Sequence, residues 1–582
     1  MATALEYHEL TKHHFNRFAR SAGHLDWATQ PDPFRRYSGA PLLQLPRAPV
    51  AAGVPYSALF NGSVPATDVS DASVAEFFRC SLGLSAWKQL ARRSPGEGGF
   101  RSSRWALRVN PSSGNLHPTE SYLIRDGRVY HYAPREHALE ERCDFGVEAW
   151  ARFSAGRPGF LVALTTIHWR EAWKYGERAF RYCQHDAGHA IAALRLAAAL
   201  LGWRLTLLPS WSHAQLGAVL GLDRDADFTG AEREEAECIA AVTPAEVNRW
   251  LDADPDVLVA AAHAARWSGT ANVLSPARVE WPIIDEVAVA TRQVRAASPV
   301  GGAEPALQPK LPTPDSQLPT GPLAREIILR RRSAVAFDAR SSLPRRTFLA
   351  MLARTRPTFA KAPVGRPDGP PWDAIDWPPH IHLLLFVHRV DGLTPGVYAY
   401  LRDPSVLDEW RAAMRTEFLW EPMNDSNDSN DSNDPNDSND PNDSNDSNDS
   451  NDSNDPNGLY LLLPFDVTWV ANRVSCDQDI AADGFFSLGM IARLDSSVRD
   501  RGDWFYRRLF WESGILGQIL YLEAEAAGAR ATGIGCFYDD PVHDAAGLTG
   551  TEWQSLYHFS MGVPVEDDRL TTEPGYEWEI SS

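Results

Sequence analysis

Four short stretches carry residues whose types and spacing could do chemistry. The first is Asn110–Pro118, Asn-Pro-Ser-Ser-Gly-Asn-Leu-His-Pro. Pro111 and Gly114 punctuate its backbone, while Ser112, Ser113 and Asn115 supply short polar side chains that cap helices and donate hydrogen bonds. This loop is expected to feed a helix and either to hold a polar, partly anionic ligand or to act as an ordinary cap. The second is Arg331-Arg332-Ser333, whose guanidinium forks suit phosphate oxygens unless they only solvate a helix face. Lys174–Tyr175 is the third and Ala531–Phe537, with Gly533 and Gly535, the fourth. His185 and His189 lie four apart on one helix face, a spacing compatible with a metal. With no Glu-containing motif beside them, packing is the expected role and no metal site is expected.

The elements that must position these stretches follow from periodicity. Val74–Leu90 has helical spacing, Ser121–Ile124 and Arg128–Tyr132 read as strands, and Phe160–Ile167 reads as a buried strand. Arg181–Leu201 reads as a long alanine-rich helix ended by Gly202, and a helix is expected to begin near Pro344. Residues 1–50 are polar and proline-spotted, with Tyr7, His8, Thr11, Lys12, His13 and His14 close together, and are expected to form a solvated N-terminal arm. Residues 276–322, dense in Pro and Ala, are expected to link two domains, 51–275 and 323–582. The Asn-Asp-Ser/Pro tract 424–457 has no apolar residue to bury and is expected to be a disordered insert.

The second half repeats the first. At a constant offset of 326, Phe160 falls on Phe486, Arg181 on Arg507, Asp186 on Glu512, Gly188 on Gly514 and Gly202 on Gly528. At an offset of 268, Val129, Tyr130, Tyr132 and Leu139 fall on Val397, Tyr398, Tyr400 and Leu407. The difference of 58 places an insertion after Leu407, most of it the Asn/Asp/Ser tract. Two copies of one fold are expected to bury a shared face about a pseudo-two-fold axis.

The loop members Pro111, Ser112, Ser113, Asn115, His117 and Pro118 resemble the flavin-binding loop of the nitroreductase-like FMN oxidoreductases. The longer run Arg108–Tyr122 is similar to the SagB-type dehydrogenase branch, which includes azoline dehydrogenases of peptide pathways. The resemblance implies an α+β fold, three-layer α/β/α, in two tandem copies forming an intramolecular pseudo-dimer. It implies FMN at the junction of the halves, with Arg331, Arg332 and Ser333 on the phosphate, Gly533 and Gly535 passing over the isoalloxazine, and Arg569 as a late phosphate-binding residue. Lys174 and Tyr175 stand where azoline dehydrogenases carry a catalytic Lys-Tyr pair and would move a proton as hydride passes to or from flavin. NAD(P)H as a transient donor, or the substrate itself, would reduce the flavin, and the substrate would be a small molecule or a peptide.

The halves are complementary in what each lacks. At the position of the arginines the first half has Val54–Phe60, without positive charge, and at the position of the serine loop the second half has Trp377, Pro378, Pro379 and His380. One flavin per chain is therefore expected. The alternatives are a non-catalytic flavin- or ligand-binding tandem domain, or an azoline dehydrogenase of a peptide-modification pathway.

Composition bounds the rest. The 582 residues carry a net charge of −20, of which eleven Asp in the tract account for −11, leaving −9. An acidic chain argues against nucleic acid as a partner. Six scattered cysteines with no Cys-x-x-Cys pair suggest reduced cytosolic thiols, and no stretch reaches the length of an apolar membrane span. Export is not expected.

Overall fold

The computed structural model describes residues 3–93, 100–244, 250–294, 321–359, 367–423 and 458–579. The tract 424–457 and residues 295–320 of the expected linker lie outside the described residues.

Two antiparallel sheets organise the chain. The first contains β1 (Thr119–Arg125), β2 (Arg128–Ala133), β3 (Ala138–Asp144), β4 (Phe160–Thr166), β5 (Arg204–Leu207) and β6 (Glu235–Thr243), hydrogen-bonded in the order β3-β2-β1-β4-β6-β5. The second contains β7 (Ile381–Val387), β8 (Gly396–Tyr400), β9 (Leu459–Pro464), β10 (Phe486–Arg493), β11 (Arg530–Ile534) and β12 (Trp553–Gly562), in the order β9-β8-β7-β10-β12-β11. Each strand of the second sheet takes the place of the strand six numbers earlier. Registers correspond too: Tyr132 pairs with Leu139 as Tyr400 pairs with Leu459. Leu459, not the expected Leu407, therefore stands where Leu139 does. Leu407 opens the helix Leu407–Ala413 instead, so the extra residues precede the third strand of that sheet.

The central strands are buried on both faces, which is why they read as nearly continuous apolar runs. Leu123, Val162 and Leu164 face a core that also takes Leu383, Leu385, Leu488 and Met490 from the second sheet. Tyr122, Ile124, Leu161 and Ala163 face a separate outer core with Trp150 and Trp250. Leu384, Phe386 and Ile491 do the same on the far side. The middle core is thus shared by both halves.

Two 22-residue helices fill it, α1 (Ala179–Leu200) and α2 (Phe505–Ala526). Every residue of α1 is buried, its alanine-rich surface packed on all sides and its Arg181 and Asp186 paired within the core. They meet at backbone contact. A Cβ added to Gly188 would lie 2.7 Å from Trp511 Cα, and one added to Gly514 would lie 2.8 Å from Gly188 Cα. Because main chain cannot yield as a side-chain tip can, Gly188→Val is expected to destabilise by about 3 kcal/mol, at the upper end for overpacking; denaturant midpoints would measure it.

The halves also exchange arms. Helix Ala324–Arg330 lies against the first half, where Tyr56 N donates to Pro322 O and Ala324 N donates to Val54 O. Strand Leu570–Pro574 adds to a hairpin of Leu84–Arg93 and Phe100–Arg108. The expected helix over Val74–Leu90 is therefore two elements, a helix Asp71–Arg79 and this strand, divided at Gly83. The expected solvated arm is docked at its start: helix Ala4–Leu10 buries Tyr7 and His8, and Thr11, Lys12 and His13 are buried behind it. Nor is 276–294 an irregular linker, since Pro282–Ala290 is a helix that buries Ile284, Val287 and Ala288.

Candidate functional site

The serine loop is a single 3-10 turn, Ser113–Asn115, and it enters β1 rather than the expected helix. Gly114, Asn115 and His117 have φ of 59°, 60° and 52°, and left-handed residues followed by Pro118 cannot propagate a helix. Such a conformation in Asn and His costs free energy and is found where a loop is held for a purpose. Here it is held firmly. Asp186 on α1 accepts from Ser113 N at 3.1 Å and from Ser113 Oγ at 3.1 Å, while Ser112 Oγ accepts from His117 N at 2.7 Å. Asn115 Nδ2 donates to Ala106 O at 2.9 Å and its Oδ1 meets His117 Nε2 at 2.9 Å.

The arginines arrive from the other half. Arg331 is buried, with Nε donating to Val109 O at 3.1 Å and Nη2 to Arg108 O at 3.3 Å, directly ahead of the loop. Its Nη1 is buried without a hydrogen-bond partner. Arg332 donates to Leu329 O, Arg331 O and Ser85 O. Burial and then Arg331 beside it push its guanidinium down to about 9. Ser333 Oγ is 2.9 Å from Tyr521 Oη, and Ser333 bridges to Ala531 on β11, the glycine strand.

Gly533 N donates to the same Tyr521 Oη at 2.9 Å. A Cβ on Gly533 would collide with the Tyr557 hydroxyl, and one on Gly535 with the Tyr182 ring. Both glycines are thus required by aromatic rings lying on the backbone. Lys174 and Tyr175 close the helix His168–Tyr175, and they reach the loop tip: a Cβ on Gly114 would lie 2.8 Å from Tyr175 Oη and 3.2 Å from Lys174 Nζ. The Tyr175 and Tyr182 rings are 4.2 Å apart. The structure therefore gathers Pro111, Ser112, Ser113, Asn115, Lys174, Tyr175, Arg331, Ser333, Gly533 and Gly535 around one place, with Arg332 on its rim. Arg569 does not join them. It is exposed and paired with Asp567 two residues away.

Sequence reasoning did not place two acids in this cluster. Glu171 Oε1 lies 3.5 Å from Ser112 Oγ, and burial with Asp186 nearby raises its carboxyl well above the usual range. Burial raises Asp186 to about 7, against the hydrogen bonds from Ser112 and Ser113. An acid whose folded value is raised binds its proton more tightly when folded, so its contribution is full at low pH and lost as pH rises from about 4 to about 7. Relative to Asp186→Asn, the wild type is expected to lose stability across that window with a slope approaching about 1.4 kcal/mol per pH unit. Parallel urea titrations at several pH values would measure it. Burial also raises Tyr175, as do Glu171 and Tyr182.

The corresponding place in the other half is built differently. Glu512 stands where Asp186 does and accepts from His380 N at 3.1 Å and Ile381 N at 3.2 Å. Arg508 stacks between Trp504 and Trp377, at 4.4 and 5.0 Å, and donates to Gln293. A cavity of about 870 Å³ bounded by His168, His213, Glu235, Trp281 and Arg292 lies elsewhere, and none of the expected site residues lines it.

The fold has known counterparts. A protein from Anabaena variabilis, described provisionally as a nitroreductase, aligns over 97% of this chain and 100% of its own with a TM-score of 0.64 at 19% identity. The fold is that of the nitroreductases. The profile of the Nitroreductase family matches residues 89–231, the stretch that holds the serine loop, Lys174–Tyr175 and all of α1. Weaker likenesses join a Ralstonia eutropha protein of similar description (16% identity, 38% of this chain, 96% of that one, TM-score 0.26) and the E. coli microcin synthetase McbBCD complex with truncated pro-MccB17 bound (16% identity, 42% and 89%, TM-score 0.24). No curated protein matches the chain. Among the described residues no helix is long and apolar enough to cross a membrane.

Proposed function

We propose that the chain is an FMN-dependent oxidoreductase holding one flavin between its halves, which are tandem copies arranged as an intramolecular pseudo-dimer. The observation that carries the proposal is Arg331, a guanidinium from the second half buried against the first half's serine loop with one nitrogen unpartnered. A phosphate oxygen is the partner such a fork takes. Ser333 would share the phosphate, and Ser112, Ser113 and Asn115 would hold the ring edge. Tyr182 and Tyr557 would meet the ring face beside Gly533 and Gly535. FMN, when bound, supplies hydride transfer between a donor such as NAD(P)H and an acceptor. The single-site reading is supported by the Trp377–Arg508–Trp504 stack, which fills the corresponding place opposite.

The chain's own residues handle the proton. Tyr175, raised by burial, keeps its proton through neutral pH and acts as a donor, with Lys174 beside it at the Gly114 tip. Glu171 and Asp186, their carboxyls raised by burial, stand behind Ser112. A SagB-type azoline dehydrogenase is a second reading, favoured by the Lys174–Tyr175 position at the loop.

The absorption spectrum of the purified protein, with flavin released by heat and counted, tests the proposal. About one FMN per chain is expected from the single complete site; no flavin and no uptake of added FMN would refute it. Tyr175→Phe is expected to retain flavin while turnover with an artificial acceptor falls about 100-fold, the scale of a positioned proton donor.

A further inference from the structure

We propose that His13, Cys476 and Cys536 form a zinc-binding site that fastens the N-terminal segment to the second half of the chain. His13 Nδ1 lies 3.8 Å from Cys536 Sγ, which lies 2.9 Å from Cys476 Sγ, and the three donor atoms fall within 4.8 Å of one another. His13 is buried and both cysteines are half-buried. The three come from segments far apart in the chain: the N-terminus, the turn after helix Thr468–Val474, and the stretch following β11.

Each donor is held in place by something other than its neighbours in the cluster. His13 N donates to Asp539 Oδ2 at 2.8 Å, and that carboxylate is itself gripped by Arg178 and Arg181. Gln478 Nε2 donates to Ser475 O at 2.8 Å and to Cys536 O at 2.9 Å, tying the two cysteine loops together with one side chain. Cys476 and Asp477 both have φ of 56°, consecutive left-handed residues that only a well-braced turn retains.

Two sulfurs and one imidazole nitrogen are the donor set of zinc rather than of calcium or magnesium. At Zn–S distances of about 2.3 Å, a tetrahedral site separates its sulfurs by about 3.8 Å, so the two thiols part by about 0.9 Å through side-chain rotation. Two protons leave the thiols on binding, and two thiolates with a neutral imidazole balance the dication. A disulfide between Cys476 and Cys536 would use two of the three groups and leave the approach of His13 without a purpose. Three protein ligands leave the fourth tetrahedral position to solvent. The inference does not rest on the flavin reading.

The test uses the full-length, untagged protein, reduced, loaded with zinc chloride and then dialysed. About one zinc per chain by elemental analysis is expected, and cobalt in its place should show thiolate-to-metal charge-transfer absorption. His13→Gln, Cys476→Ser and Cys536→Ser should each weaken zinc binding about tenfold or more in competition with a chromogenic chelator, while Cys238→Ser should not. Circular dichroism identifies variants that fold, and His13→Gln keeps the test decisive if a cysteine variant does not. Less than about a tenth of a zinc per folded, reduced chain would overturn the proposal. So would retention of zinc by both cysteine variants, or recovery of a Cys476–Cys536 disulfide in a chain that takes no zinc after reduction.

Discussion

Arg331→Met is expected to weaken FMN binding about 10- to 100-fold, the equivalent of one or two charge-assisted hydrogen bonds lost from a dry site. Methionine keeps the buried stem and the contact with the Tyr521 ring, over which the guanidinium now sits at 4.9 Å, so the loss reports mainly charge and hydrogen bonding. Arg332→Met should lose less. Arg332 spends its nitrogens on carbonyls of Leu329, Arg331 and Ser85, and its guanidinium is rim rather than partner. Flavin fluorescence titration of the apoprotein separates the two. Equal effects would mean that the arginines act only through general positive charge, and no effect of Arg331→Met would remove the support for the phosphate position.

Asp539→Asn should be the most damaging single change to stability, at about 3–5 kcal/mol. The Asp539 carboxylate accepts from Arg178 Nη1 at 2.9 Å, Arg181 Nη1 at 2.8 Å and His13 N at 2.8 Å, and all three side chains are buried. Removing its charge strands two guanidiniums in the interior. Burial alone would push this carboxyl up, but Arg178 and then Arg181 hold it well below the usual range. A depressed carboxyl contributes stability that is present above its unfolded value near 4 and is lost as pH falls below it. Wild type and Asp539→Asn should therefore converge in strong acid and diverge at neutral pH, as equilibrium denaturation at both would show.

Local chemistry made much of this site legible in the sequence. Pro111–His117 and Arg331–Ser333 are continuous in the chain, so a polar loop and a cationic cluster can be seen before any fold is known. Strands Thr119–Arg125, Arg128–Ala133 and Phe160–Thr166 and helix α1 were readable from their apolar or alanine-rich runs. What could not be read depends on contacts across hundreds of residues. Glu171 is one acid on an ordinary helix until burial beside Asp186 raises its carboxyl. Asp186 had one signal, its alignment with Glu512, and in both halves the acid turns out to accept from the loop backbone. The N-terminal residues read as solvated because seven helical residues show little periodicity, and their partners, Asp503, Tyr506 and Asp539, lie about 500 residues on. Leu84–Leu90, the end of the expected helix, belongs to a strand because pairing with Phe100–Arg108 and Leu570–Pro574 overrides local preference. Arg569 shows the opposite failure: a suggestive residue at a suggestive place, neutralised by Asp567 in its own turn.

The backbone contact between Gly188 and Gly514 has a consequence for how the molecule behaves in dilute solution. Because α1 and α2 belong to one polypeptide, their docking is a first-order event whose equilibrium is independent of protein concentration. A cluster assembled from both sides of that contact stays assembled at any dilution, where a pair of separate subunits would come apart once its concentration fell below the dissociation constant. It also frees the two faces from having to match. In a pair of identical subunits every substitution occurs twice; here each face is encoded separately, and one can carry serines and glycines while the other fills with tryptophan and arginine.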